Sequence, residues 1–148
     1  MNASQEPEPR RTDGTGHQPP GPYRHAFTIR GRIQSFRCAF AGAWFILRSQ
    51  QNAWVHALAT VLVVVLCALL VDDATGWALV LLAVAGVWLA EAFNTALEVV
   101  SDIIQPEYSP TIRVAKDIGA GAVLFAAINA VVIGVLVLGP PLWNGLRL

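Results

Sequence analysis

The stretch Glu91-Ala-Phe-Asn94-Thr-Ala-Leu-Glu98-Val-Val-Ser-Asp102 continues the apolar run that starts near Thr75-Gly-Trp77 and passes through Trp88-Leu-Ala90, with no glycine or proline at the join. One long helix from Thr75 to about Ile104 is therefore expected. Glu91, Asn94, Glu98 and Asp102 are spaced by 3, 4 and 4 residues, and at about 100° per residue such spacing stacks them on one narrow helix face. Carboxylates close to hydrocarbon are costly, and they need partners, a cavity or a bound cation. Downstream sits Lys116-Asp117, and Lys116 is the sole lysine of the chain. A polar stripe and a Lys-Asp pair are the features the rest of the sequence has to accommodate.

Working outward, 55% of the 148 residues are hydrophobic and 14% are charged, with a formal net charge of zero. The mean hydropathy is +0.52. A nucleic-acid binder would carry a basic excess, so no nucleic-acid partner is expected. Three apolar segments approach the ~20 residues needed to cross a bilayer: about 53–71, about 75–104 and about 112–138. Residues 29–49 place Ile33, Phe36, Phe40, Ala43, Trp44 and Leu47 at helical spacing, with Arg30, Arg32, Arg37 and Arg48 over much of the remaining surface. That pattern is an amphipathic helix too polar to span, which lies along the membrane surface. Residues 1–28 are rich in Pro, Gly, Gln and charge and lack the apolar content to fold, so a disordered tail is expected there. The fold class is thus all-α and transmembrane: a surface helix and three spans in one membrane domain, 29–148.

Arginine placement orients the chain. Seven arginines precede the first span, and Arg113 and Lys116 lie between the second and third. The hairpin Asp72-Asp73-Ala-Thr-Gly has no basic residue, and Arg147 alone follows the last span. The positive-inside rule puts the N-terminus and the polar stripe in the cytoplasm and the C-terminus outside. No cleavable leader is read at the N-terminus. Cys38 and Cys67 fall in a surface helix and in mid-membrane, which argues against a disulfide, and no CxxC spacing suggests zinc. Pro106 and Pro110 bracket a loop, Gly139-Pro-Pro141 ends the last span, and Gly119-Ala-Gly121-Ala122 are small enough to let a neighbouring helix approach. Asn129, isolated in mid-membrane, is suited to an interhelical hydrogen bond.

The sequence contains no Gly-rich phosphate loop, no H-E-x-x-H and no Ser/His/Asp set. What remains is carboxylate chemistry with one ammonium. Glu98, Asp102 and Asp117 are hard oxygen donors of the kind Mg2+ takes together with nucleotide phosphates. Lys116 is a point charge suited to phosphate, and Arg32 and its neighbours on the surface helix are available to an anionic substrate. Glu91, deepest in the apolar run, is placed to take a proton from a lipid hydroxyl. From spacing alone the reading is an intramembrane acidic site that opens to the cytoplasm. A small proton- or cation-coupled transporter using Glu91 and Glu98 is the competing reading, although no inverted repeat is visible.

Glu91-x-x-Asn94-Thr-Ala-x-Glu98-x-x-x-Asp102, followed by Ala115-Lys-Asp117 and Gly121-Ala-Val123, resembles the signature of the prokaryotic diacylglycerol kinase and undecaprenol kinase family over about Phe36 to Leu138. The resemblance implies a homotrimeric lipid kinase of the bacterial inner membrane that uses ATP and Mg2+ to phosphorylate a membrane lipid hydroxyl. By motif, Glu91 matches the catalytic base and Glu98 the carboxylate that holds the metal of the nucleotide. Asn94 and Asp102 match their polar partners, Lys116 and Asp117 the nucleotide-contacting pair, and Glu107 and Tyr108 a further nucleotide contact. Gln50 stands where many members carry a metal-binding Glu, and Ser109 where a His often follows. A non-catalytic relative is therefore a further alternative. Asn52-x-x-x-His56, with Phe36-x-x-Ala39-x-x-Gly42, is similar to the undecaprenol branch, which implies a polyprenol acceptor contacted by Asn52 and His56, with diacylglycerol as the alternative.

Overall fold

The computed structural model describes residues 29–145; the expected disordered tail, 1–28, lies outside the described residues. The chain divides into two units, 1–38 and 39–148. Four helices follow in order among the described residues: α1 (Ile29–Ser49), α2 (Gln51–Leu70), α3 (Ala74–Ile104) and α4 (Pro110–Gly145). No strand occurs among the described residues. The last three helices are each long and apolar enough to cross a membrane.

α1 buries no residue, and its apolar stripe of Ile33, Phe36, Phe40 and Trp44 is exposed. Arg48 stacks its guanidinium 5.0 Å from the Trp44 ring centroid, which keeps the charge at the edge of the apolar surface. α1 and α2 are separated by a single extended residue, Gln50.

Within the second unit α2, α3 and α4 form an antiparallel bundle in which α3 and α4 pack along each other most extensively. α3 turns Gly76, Val80, Ala83, Val87, Glu91 and Asn94 inward at helical spacing. The outward faces remain apolar, with Leu82, Leu89, Phe93, Phe125, Val131 and Leu136 all exposed, as a hydrocarbon solvent requires. The turn between α2 and α3 is tightly made. Asp73 caps α3 by accepting a hydrogen bond from the Gly76 N–H at 2.8 Å, and the Trp77 Nε1–H donates to the Val71 carbonyl at 3.1 Å. Both groups are those left orphaned at helix ends.

α4 departs from expectation at both ends. It begins at Pro110, a position where proline's missing N–H costs nothing. It also runs through Pro140 and Pro141 to Gly145 instead of stopping at Gly139-Pro-Pro141. Prolines inside apolar helices are tolerated where neighbouring groups or small backbone adjustments restore the lost hydrogen bonds. Among the expected small-residue contacts, Gly119 does make a close approach, whereas a side chain at Gly121 would meet open space. The two cysteines are free, Cys38 exposed and Cys67 buried.

A Cβ added to Gly76 would lie 2.7 Å from the Val71 Cγ1 and 3.0 Å from an Asp73 carboxylate oxygen, while one added to Gly134 would meet nothing within 4 Å. Gly76→Ala is therefore expected to destabilise the protein by about 1–3 kcal/mol, read as a lowered thermal unfolding midpoint in detergent, with Gly134→Ala close to wild type.

Candidate active site

The polar face of α3 is graded by depth. Glu91 is 1% exposed and Asn94 8%, Glu98 is half-buried, and Asp102 is exposed. Each of the four meets a different neighbour. His56 Nε2 of α2 lies 3.8 Å from Glu91 Oε2, which is an electrostatic contact and too long for a hydrogen bond. That carboxylate oxygen is buried without a hydrogen-bond partner.

Two turns along, the Gln50 Nε2–H donates to Glu98 Oε2 at 2.7 Å, and the Asn94 Nδ2–H donates to Glu98 Oε1 at 3.2 Å. Both oxygens of Glu98 are thus held by amides, one from the residue that precedes α2 and one from α3. The Gln50 side chain makes no helix cap and instead crosses to Glu98. α4 approaches the Asn94 amide closely, since a Cβ on Gly119 would fall 2.5 Å from Asn94 Oδ1 and 3.2 Å from Leu97 Cδ2, and that Oδ1 is buried without a hydrogen-bond partner. Nearest the end of α3, Lys116 Nζ donates to Asp102 Oδ1.

Several residues singled out in the sequence do not join this cluster. Asp117 is exposed and faces Arg113 Nε one turn back, at 3.9 Å, so of the Lys-Asp pair Lys116 alone meets the α3 face. Asn52 is exposed while His56 is half-buried, because Ala53 takes the fully buried position of the first turn. Glu107 and Tyr108 stand exposed in the connection between α3 and α4. Conversely, sequence reading gave no hint that the Trp88 Nε1–H donates to Thr60 Oγ1 at 3.0 Å, or that Thr95 Oγ1 is buried without a hydrogen-bond partner. Threonine and tryptophan in an apolar run look like ordinary packing residues, and only the helix register reveals their polar ends.

The donor set bears on metal binding. No group of three or more His, Cys, Asp or Glu side chains converges among the described residues. One carboxylate, Glu98, flanked by amides that can present oxygen when turned over, fits a hard divalent ion that arrives with phosphate oxygens. That is the habit of Mg2+ rather than of an ion caged by protein alone.

Residues 37–138 match the family described as prokaryotic diacylglycerol kinase. The chain belongs to that family. It is 40% identical over 111 residues to a diacylglycerol kinase of Synechocystis sp., a match covering 74% of this chain and 63% of the relative. It is 34% identical over 119 residues to an undecaprenol kinase of Bacillus subtilis, covering 80% of this chain and 96% of the relative. The chain thus spans less than two thirds of the cyanobacterial protein and nearly all of the Bacillus one. With three apolar helices and this family, it is a multi-pass membrane protein.

Gly119→Val should push the Asn94 amide off Glu98 and loosen the carboxylate. Loss of one charge-assisted hydrogen bond, worth about 1.5–3 kcal/mol, predicts nucleotide–metal binding weaker by roughly an order of magnitude or more in calorimetry.

Proposed function

We propose that this protein is an ATP-dependent lipid kinase that phosphorylates the hydroxyl of a membrane lipid, undecaprenol or diacylglycerol. The observation that carries the reading is a family match over residues 37–138 combined with a buried carboxylate, Glu91, whose Oε2 lacks a hydrogen-bond partner. An acidic group held without a donor in an apolar bundle is arranged for a ligand that brings one, and an alcohol does.

In this mechanism Glu91 accepts the proton of the lipid hydroxyl as the hydroxyl oxygen attacks the terminal phosphorus of ATP. The bond from that phosphorus to the bridging oxygen breaks, and ADP leaves. Phosphoryl transfer demands mainly positioning and charge neutralisation, so a sparse set of residues suffices. Glu98, with Gln50 and Asn94, would hold Mg2+, which would neutralise charge on the phosphates. Asp102 keeps Lys116 at the rim of the stripe, where the ammonium takes a nucleotide phosphate. Asp117, Glu107 and Tyr108 are assigned to the nucleotide at the same membrane face, Arg32 to the nucleotide by its charge, and Asn52 and His56 to the lipid. The arginine distribution supports a bacterial inner-membrane topology with this face cytoplasmic and the C-terminus outside.

A homotrimer is proposed as the working assembly. Its support in this chain is Asn129, an amide exposed in the middle of α4. A polar group at that depth needs a partner from another helix.

Glu91→Gln keeps shape and removes the base, so turnover of undecaprenol or diacylglycerol with radiolabelled ATP should fall by about 10²–10⁴-fold while nucleotide binding changes little. Wild-type turnover by this variant at saturating lipid would overturn the base assignment. Glu98→Gln should act the other way, chiefly weakening MgATP binding.

A further inference from the structure

We propose that His56 is the second member of a proton-transfer pair with Glu91: the proton that Glu91 takes from the acceptor hydroxyl passes on to His56 Nε2. The inference rests on the kinase reading above and adds a residue to its chemistry.

Glu91 and His56 are isolated from every other ionisable group of the bundle. Glu91 is the sole ionisable residue in 74–97 of α3, and 118–145 of α4 contain none. α2 carries His56 and Cys67, and Cys67 lies roughly 16 Å further along at helical rise. Glu98 lies roughly 10 Å along α3 from Glu91, and amides hold both its oxygens. Nearer the rim, Lys116 is engaged with Asp102, and Asp117 faces Arg113. The one basic side chain facing the buried carboxylate among the described residues is therefore the imidazole.

His56 Nε2 lies 3.8 Å from Glu91 Oε2, the same oxygen that is buried without a hydrogen-bond partner. A rotation of the imidazole that closes the gap by about 1 Å makes a hydrogen bond, and catalytic contacts that are long in a free enzyme commonly tighten around substrate. His56 sits in the second turn of α2, at the polar end of the bundle. It is the more exposed of the two side chains, 15% against 2%, so it is the member that gives the proton up to water between turnovers.

An alcohol that becomes a phosphate ester leaves its proton behind. Held on Glu91, that proton makes a neutral acid in an apolar site, spent as a base until the proton is removed. Transfer to the imidazole restores the carboxylate beside an imidazolium, and opposite charges in contact attract strongly where the dielectric is low. Imidazole is the side chain that takes up and releases protons near neutral pH. The steps balance. The hydroxyl O–H breaks and its proton bonds Glu91 Oε2 as the hydroxyl oxygen bonds the terminal phosphorus of ATP. The bond from phosphorus to the bridging oxygen breaks, its electron pair leaving with ADP. The new carboxyl O–H then breaks, and the proton bonds the lone pair of His56 Nε2.

The experiment uses the full chain in vesicles with radiolabelled ATP, offered undecaprenol and diacylglycerol. His56→Gln keeps a side chain able to hydrogen-bond Glu91 but unable to take its proton, and His56→Ala opens room for an added base. Expected is a kcat lower by roughly 10-fold or more in both variants, with KM for MgATP and for lipid within about twofold of wild type. Added imidazoles should restore His56→Ala, at a rate that rises with their basicity, and leave His56→Gln unrestored. Wild-type kcat should also fall toward acid as His56 takes its proton from water instead, a limb that His56→Gln lacks. That limb keeps the test decisive where His56→Ala fails to fold. Wild-type kcat in His56→Gln overturns the relay and leaves the kinase reading standing, and so does the same acid limb in both proteins. A folded His56→Ala whose loss no imidazole restores does likewise, because that is the behaviour of a packing residue. Wild-type protein that phosphorylates neither lipid overturns the kinase reading and the relay with it.

Discussion

The two amide hydrogen bonds onto Glu98 are the constraint on which the rest of the polar end depends. Gln50 reaches it from the start of α2 and Asn94 from the preceding turn of α3, while Gly119 of α4 backs the Asn94 amide so closely that no side chain fits between them. One carboxylate therefore ties the start of α2 to α3, at the level where α4 packs against Asn94. A carboxylate half-withdrawn from water needs such donors, because desolvation without them would exceed any packing gain. The same arrangement leaves the carboxylate exchangeable: amide donors satisfy it at rest, and amide oxygens can face a cation when one arrives with its phosphates.

Around that level the bundle reverses the usual order of a soluble protein. Polar side chains are buried at one end and apolar ones cover the outside. The inward face of α3 reads Val80, Ala83, Val87, Glu91, Asn94 without a break in helical phase, so the catalytic carboxylate proposed here is a continuation of the packing stripe. Its depth follows from that phase alone. The price is a loosely filled interior where α2 meets α4, since small residues that allow close approach at Gly119 leave a crevice at Ala59, Ala130 and Gly134.

Much of this was legible in the sequence. Hydropathy located three spans, and the 3, 4, 4 spacing put Glu91, Asn94, Glu98 and Asp102 on one face, because both depend only on the period of a helix. The misses share a cause. Gly139-Pro-Pro141 reads as a stop, yet α4 continues past it, because proline's cost is set by whether neighbours restore the lost hydrogen bond. Gly119 and Gly121 look equivalent, but one abuts Asn94 and the other faces open space. Lys116 and Asp117 are adjacent, yet they point to Asp102 and to Arg113 in turn, as consecutive residues on a helix do not share a face.

The sequence by itself determined the all-α membrane class, the polar stripe, its depth order and the family, since each is written in composition, periodicity and a local motif. Only the tertiary structure decided which partner each stripe residue meets: His56 beside Glu91, Gln50 on Glu98, Lys116 on Asp102. Those pairings depend on the relative rotation and register of α2, α3 and α4, and rotation between helices is set by how side chains interlock across them, a quantity that no single helix's sequence contains.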